Sequence, residues 1–173
     1  MGVICDCSGR IVKQNIDVPE VISFDWLADN LLRFHNSLRK RHNSPDLLLN
    51  VDLCKMAEKY AKELIINKNN DQIYKYNDEI LGRNIYLSEI KPKQPEKVFY
   101  NWYEENKNYD YNFNYYQKNA AHFTQIVWKN TKEMGFGLVD EKNKFCLVVF
   151  YYPPGNILGK FTDNVEYPNK KKK

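Results

Sequence analysis

The sequence predicts an α+β fold. Helical patterns dominate the first half of the chain, and two adjacent strand patterns joined by a turn follow near its end. No strand–helix–strand alternation occurs between them, so the sheet is expected to be antiparallel and covered by helices.

The first helix is expected to begin at Ser23, a suitable N-cap with Asp25 in the first turn; Leu27, Leu31, Phe34 and Leu38 then recur at helical spacing. Asn43-Ser44-Pro45 ends it, because proline disfavours helical geometry at the residue before it. Leu53, Met56, Ala57, Tyr60, Ala61 and Leu64 form one apolar stripe at steps of three and four, the clearest helix in the chain. Pro95 opens a third helix carrying Val98, Phe99 and Trp102. Residues 106–119 are rich in Asn and Tyr and are read as a loop lying over the core, with Tyr109 to Tyr116 as a contact surface. Gly135–Val139 and Lys144–Tyr152 flank the turn residues Asp140-Glu141-Lys142-Asn143 as a hairpin, and Ile85–Leu87 is a shorter strand.

A chain of 173 residues is expected to be one domain, able to bury about 70% of its unfolded surface. No window approaches 18 apolar residues, which excludes a membrane-spanning helix. The first 23 residues hold no apolar run of signal-peptide length. The formal charge of +4 is a property of the end of the chain: without Lys170, Lys171, Lys172 and Lys173, 22 basic residues balance 22 acidic ones. A clustered basic stripe is therefore missing from the body, and no nucleic-acid partner is expected.

Four cysteines, two of them crowded at the N-terminus, suit a reducing compartment better than a disulfide framework. The opening Met1-Gly2-Val3-Ile4-Cys5-Asp6-Cys7-Ser8 places Gly2 where N-myristoylation occurs and Cys5 and Cys7 where palmitoylation follows. One myristoyl chain binds membranes marginally, with K of about 10⁴ M⁻¹, so a second signal is required; the cysteines or the lysine tail supply it. Asp6 departs from the usual Ser or Thr.

The search for catalytic chemistry returns little. There is no nucleophile elbow, phosphate loop or Cys-x-x-Cys pair. His35 and His42 lie two turns apart on the first helix, wider than helical zinc pairs, and are read as structural. Cys54 and Cys146 fall in apolar segments and are read as inert buried thiols.

Several strings together resemble one family. His35-Asn36-Ser37-Leu38-Arg39-Lys40-Arg41-His42 is similar to the HNxxRxxH helix of the CAP superfamily of cysteine-rich secretory, antigen-five and pathogenesis-related proteins. Trp102-Tyr103-Glu104-Glu105 resembles its WYxE segment. His122-Phe123-Thr124-Gln125-Ile126-Val127-Trp128 resembles its most specific signature, and Tyr151-Tyr152-Pro153-Pro154-Gly155-Asn156 its closing one. The likeness runs from about residue 28 to 167. It implies a three-layer α–β–α sandwich, with residues 1–22 as a leader, 23–167 as the domain and 168–173 as a basic tail.

Gly2 and the sparse cysteines look most like the intracellular, Golgi-associated plant pathogenesis-related group. That likeness implies a self-associating protein held peripherally on the cytosolic face of the Golgi or plasma membrane by acyl groups and anionic lipids. A further protein partner of unknown identity is also expected. The family cleft usually carries two histidines and two glutamates, which bind zinc in some members. Here the carry-over is partial: Glu105 and His122 match, whereas Arg83 stands in Gly82-Arg83-Asn84 for the second glutamate, and the second histidine falls near Gln72. Two ligands beside a fixed cation do not make a zinc site, so no metal, cofactor or catalytic residue is expected, and Arg83 is expected to pair with Glu105. Two alternatives remain open: a secreted sterol-binding or immunomodulatory effector exported without a signal, and a hydrolase using Glu105 and His122 as acid and base.

Overall fold

The structure is a computed structural model that describes residues 2–5, 11–14, 24–68, 70–90, 92, 96–141 and 144–169, with backbone alone at 2–5, 11–14, 24–28 and 96. Strands β1 (Gly2–Cys5) and β2 (Ile11–Gln14) form a two-stranded antiparallel ribbon, where the sequence shows no periodicity. Helix α1 spans Phe24–Arg41; Ser23, its expected cap, lies outside the described residues. After the short strand β3 (Leu48–Leu49), helix α2 runs Val51–Ile66. Asn50 caps it, its side-chain oxygen accepting the amides of Asp52 and Leu53 at 2.9 and 3.1 Å.

Strands β4 (Lys75–Tyr76) and β5 (Glu79–Ile80) make a small hairpin through Asn77 and Asp78, both at positive φ. Asn and Asp tolerate the left-handed region that this tight turn demands. Strand β6 (Gly82–Ser88) extends the predicted Ile85–Leu87 segment. Helix α3 covers Glu96–Glu104; Pro95 is outside the described residues. Helix α4 (Ala121–Val127) contains His122. The hairpin β7 (Glu133–Glu141) and β8 (Lys144–Tyr152), then helix α5 (Phe161–Asn164), complete the order.

The central sheet runs β3-β7-β8-β6. It is mixed rather than wholly antiparallel: β6, β8 and β7 pair antiparallel, but two-residue β3 lies parallel to β7. Side-chain alternation along β8 builds the three layers. Phe145, Leu147, Val149 and Tyr151 join a core with α1, α3 and α4, while Cys146, Val148 and Phe150 join a second core with α2. Helix α2 sits directly on β7 because Gly135 and Gly137 carry no side chain. A Cβ at either would overlap backbone atoms of Leu53 and Cys54, or of Ala57 and Glu58.

Helix α4 is only 7 residues long, too short to be stable by itself, and its ends are satisfied from elsewhere. At its C-terminal end the fully buried Arg39 of α1 donates to the carbonyls of Ile126, Trp128 and Thr131 at 2.9, 2.8 and 2.9 Å, and to Pro45 at 2.7 Å. Ser44 donates to the carbonyl of Val127 at 2.6 Å. A planar guanidinium with five N–H donors can serve several carbonyls at once, and burial lowers its pKa to about 10.

Candidate functional site

The N-terminal end of α4 has no cap of its own. Glu105, in a 3₁₀ turn immediately after α3, supplies one. Its Oε2 accepts the amides of His122 and Phe123 at 3.0 and 3.3 Å, and its Oε1 accepts from Nδ1 of His122 at 2.6 Å. The negative carboxylate also suits the positive end of the helix dipole. Nδ1 of His122 is turned to Glu105, which leaves Nε2 as the other ring nitrogen, and the side chain is 36% exposed. The indole of Trp102 stacks on the imidazole at 5.2 Å and 13°. A partly exposed histidine oriented by a carboxylate can exchange a proton or a hydrogen bond with a bound molecule.

Of the four expected cleft residues, the structure brings Glu105 and His122 together as one pair, and Arg83 and Gln72 as another. The expected Arg83–Glu105 pairing is not made. Arg83 donates through Nη1 to the Tyr60 hydroxyl at 2.8 Å and to the Gln72 carbonyl at 3.1 Å, and its guanidinium lies 5.4 Å from the Tyr60 ring centroid. The reason is strand alternation. Arg83 shares its side of β6 with Ile85 and Leu87, which pack on the α2 core, and the next residue turns the other way. That residue, Asn84, is buried and donates to the His122 carbonyl at 3.1 Å and the Tyr151 hydroxyl at 3.3 Å.

Asn84 was not anticipated as a site residue, and it links the pair to a buried chain of polar groups. Nδ1–H of His35 donates to the Leu31 carbonyl at 2.8 Å, leaving Nε2 to accept from Tyr151, 2.9 Å away. This assignment requires a neutral ring, and burial accordingly lowers the His35 pKa to about 4. Burial also pushes the Tyr151 hydroxyl far above its usual range, so it stays a donor. His42 is likewise structural: Nδ1 donates to the Glu166 carbonyl at 2.7 Å and Nε2 accepts from Tyr103 at 3.1 Å. Burial raises the thiols of Cys54 and Cys146, the latter to about 11, which removes thiolate reactivity at neutral pH.

Gln125, another buried residue the sequence did not single out, is enclosed by two glycines. Its Oε1 accepts the Gly155 amide at 2.9 Å, and a Cβ at Gly82 or Gly155 would collide with its amide. The signature strings around His122 and Pro153 therefore meet in space through Gln125.

These strings in this arrangement match the family model described as the cysteine-rich secretory protein (CAP) family over residues 32–152. The chain belongs to the CAP family. It is 33% identical over 149 residues to human Golgi-associated plant pathogenesis-related protein 1, covering 82% of this chain and 94% of that protein. It is 31% identical over 159 residues to mouse GLIPR1-like protein 1, covering 83% of this chain and 67% of the relative. Among solved CAP structures, Schistosoma mansoni venom allergen-like protein 4 superposes with a TM-score of 0.64 at 22% identity, covering 83% of this chain and 94% of that one, a likeness of fold.

The zinc site of some CAP proteins does not fit the residues present here. Glu105 engages its two oxygens with α4 and His122, and Arg83, which stands in the sequence where the family has its second glutamate, turns to Tyr60 on the other side of β6. Among the described residues, no group of three or more His, Cys, Asp or Glu side chains is placed to hold a metal ion. The lipidation candidates contribute no side-chain geometry: Gly2 and Cys5 are described by backbone alone in β1, and Cys7 and Lys170–Lys173 lie outside the described residues. No described helix is long and apolar enough to cross a membrane.

Proposed function

We propose that this CAP-domain protein is a non-enzymatic binding module held peripherally on an anionic membrane, by acylation at Gly2 with Cys5 or Cys7 and by Lys170–Lys173. The observation that carries the non-enzymatic part is the engagement of Glu105: both its oxygens are bound within the fold, so it acts as a helix cap and a clamp on His122. The human relative is named as Golgi-associated, which supports a peripheral membrane location. The partly exposed His122 ring beside Trp102 is the recognition element of the cleft.

Fractionation of cells expressing the wild type, Gly2→Ala and Cys5→Ser/Cys7→Ser tests the anchor. Wild type in the membrane pellet with both variants in the supernatant is the expected result; all three in the supernatant refutes acylation as the anchor. The partly exposed His122 side chain paired with Glu105 favours one second reading, a hydrolase using Glu105 and His122 as acid and base. Ester hydrolysis by the purified chain that disappears in His122→Ala and persists in Gly2→Ala would establish it.

A further inference from the structure

A groove of about 760 Å³ opens where the end of β8, the β4–β5 hairpin and α5 come together, a size that suits a bound ligand. Trp128, Pro153, Pro154 and Ile157 give it an apolar lining, and Ile80 of β5, 54% exposed, borders it from the hairpin. Glu105, His122 and Trp102 take no part in it. Lys132 and Lys160 bring positive charge to the groove, and Glu79 and Asp163 bring negative charge. All four are exposed, and none of their side chains makes an ion pair or hydrogen bond among the described residues, whereas neighbouring Lys129 is bound to Glu166.

The hairpin wall is also an open strand edge. In an antiparallel pair, hydrogen-bonded and non-bonded residue pairs alternate. Leu81 donates its amide to the Tyr74 carbonyl at 3.0 Å, so Ile80, opposite Lys75, falls in a non-bonded pair. Its N–H and C=O therefore point away from β4. Further along the chain that same edge pairs with β8, beginning with Gly82 opposite Tyr151. Continuing the register would set Ile80 opposite Pro153, which has no N–H to donate, and β8 ends at Tyr152. β4 and β5 accordingly make a sheet of their own, and the outer edge at Ile80 faces the groove unpaired.

We propose that this groove binds an extended peptide segment, which adds as a short strand to the edge at Ile80 and seats an apolar side chain against Trp128, Pro153 and Ile157. Acidic and basic residues of the peptide pair with Lys132 and Lys160 and with Glu79 and Asp163. In strand addition, main-chain hydrogen bonds supply affinity and side-chain pockets supply selectivity. The open edge favours a peptide over a fatty acid, which has no main chain to pair with it. The mixed charge disfavours nucleic acid, whose phosphates would meet Glu79 and Asp163. The proposal is independent of the membrane anchor and of the His122 cleft.

The test pans a phage-displayed library of random heptapeptides on the full chain and binds the resynthesised peptides to isotope-labelled protein for NMR. Peptides with an apolar residue between an acidic and a basic one should be selected, with Kd below about 100 μM. They should shift the amides of Ile80 and Lys132 and leave that of His122 in place. Ile80→Pro removes the outward N–H without breaking a bond to β4 and should weaken binding about tenfold, while Ile80→Val should bind like the wild type. Lys132→Gln/Lys160→Gln, which leaves the hairpin untouched, should weaken it about fivefold. The proposal is overturned if no selected peptide reaches that affinity, if the shifts centre on His122, or if either Ile80→Pro or Lys132→Gln/Lys160→Gln binds like the wild type. Dodecanoate that displaces the peptide and binds Ile80→Pro as well as the wild type would overturn it in favour of a small amphiphile.

Discussion

Replacing Arg39 by lysine keeps the charge and removes the fork, which isolates the contribution of the fork. The guanidinium reaches four carbonyls through Nε, Nη1 and Nη2 from a fully buried position. A lysine ammonium is one nitrogen on a flexible stem and can reach one or two of them. Each carbonyl left buried without a donor costs about 1–3 kcal/mol, so losing two predicts a destabilisation of roughly 2–6 kcal/mol. Against a total stability of about 5–15 kcal/mol that is a large fraction. With a urea slope of about 2 kcal/mol/M, the midpoint should fall by about 1–3 M at unchanged slope. Urea unfolding followed by circular dichroism reads this directly. A midpoint within 0.5 M of the wild type would refute the claim that Arg39 holds the end of α4.

Further expectations follow from the same geometry. Gly137→Ala should destabilise by at least about 3 kcal/mol in urea unfolding, because its Cβ meets backbone of α2 that has no rotamer to yield. Glu105→Gln keeps an acceptor for the α4 amides but loses the charge on His122, and should cost about 1–2 kcal/mol; Glu105→Ala should cost more and alter Trp102 fluorescence. For His35 the folded pKa of about 4 lies below the unfolded 6.5, so between these values the unfolded chain binds the extra proton. Stability should therefore fall by about 3 kcal/mol as pH drops from 6.5 to 4, with the lowered pKa of His42 adding in the same direction. Urea midpoints at pH 7 and 4.5, with NMR titration of the His35 ring, check the sign and the window.

The elements most legible in the sequence are those set by local periodicity. The stripe from Leu53 to Leu64 appears as α2, and the run from Lys144 to Tyr152 as a strand buried on both faces, because side-chain spacing reports which face meets the core. Short elements were not legible. Two-residue β3 and seven-residue α4 have too little local pattern to declare themselves, and exist because partners elsewhere satisfy their backbone groups.

The site divides the same way. The motif strings around Glu105 and His122 identify two residues, and their pairing emerges in the fold. The other half was misread for a definite reason. Matching Arg83 to a cleft position by motif alone ignores which way its side chain leaves the strand, and β6 sends Arg83 to Tyr60 and Asn84 to His122. By itself the sequence determined the family, the helix–strand order and the supply of ionisable groups, since these depend on residue types and their spacing. The tertiary structure decided which carboxylate meets which cation, why Arg39 and Gln125 are buried, and how Asn169 docks on the end of α1. Those outcomes depend on contacts between residues 17 to 129 positions apart, which no local pattern encodes.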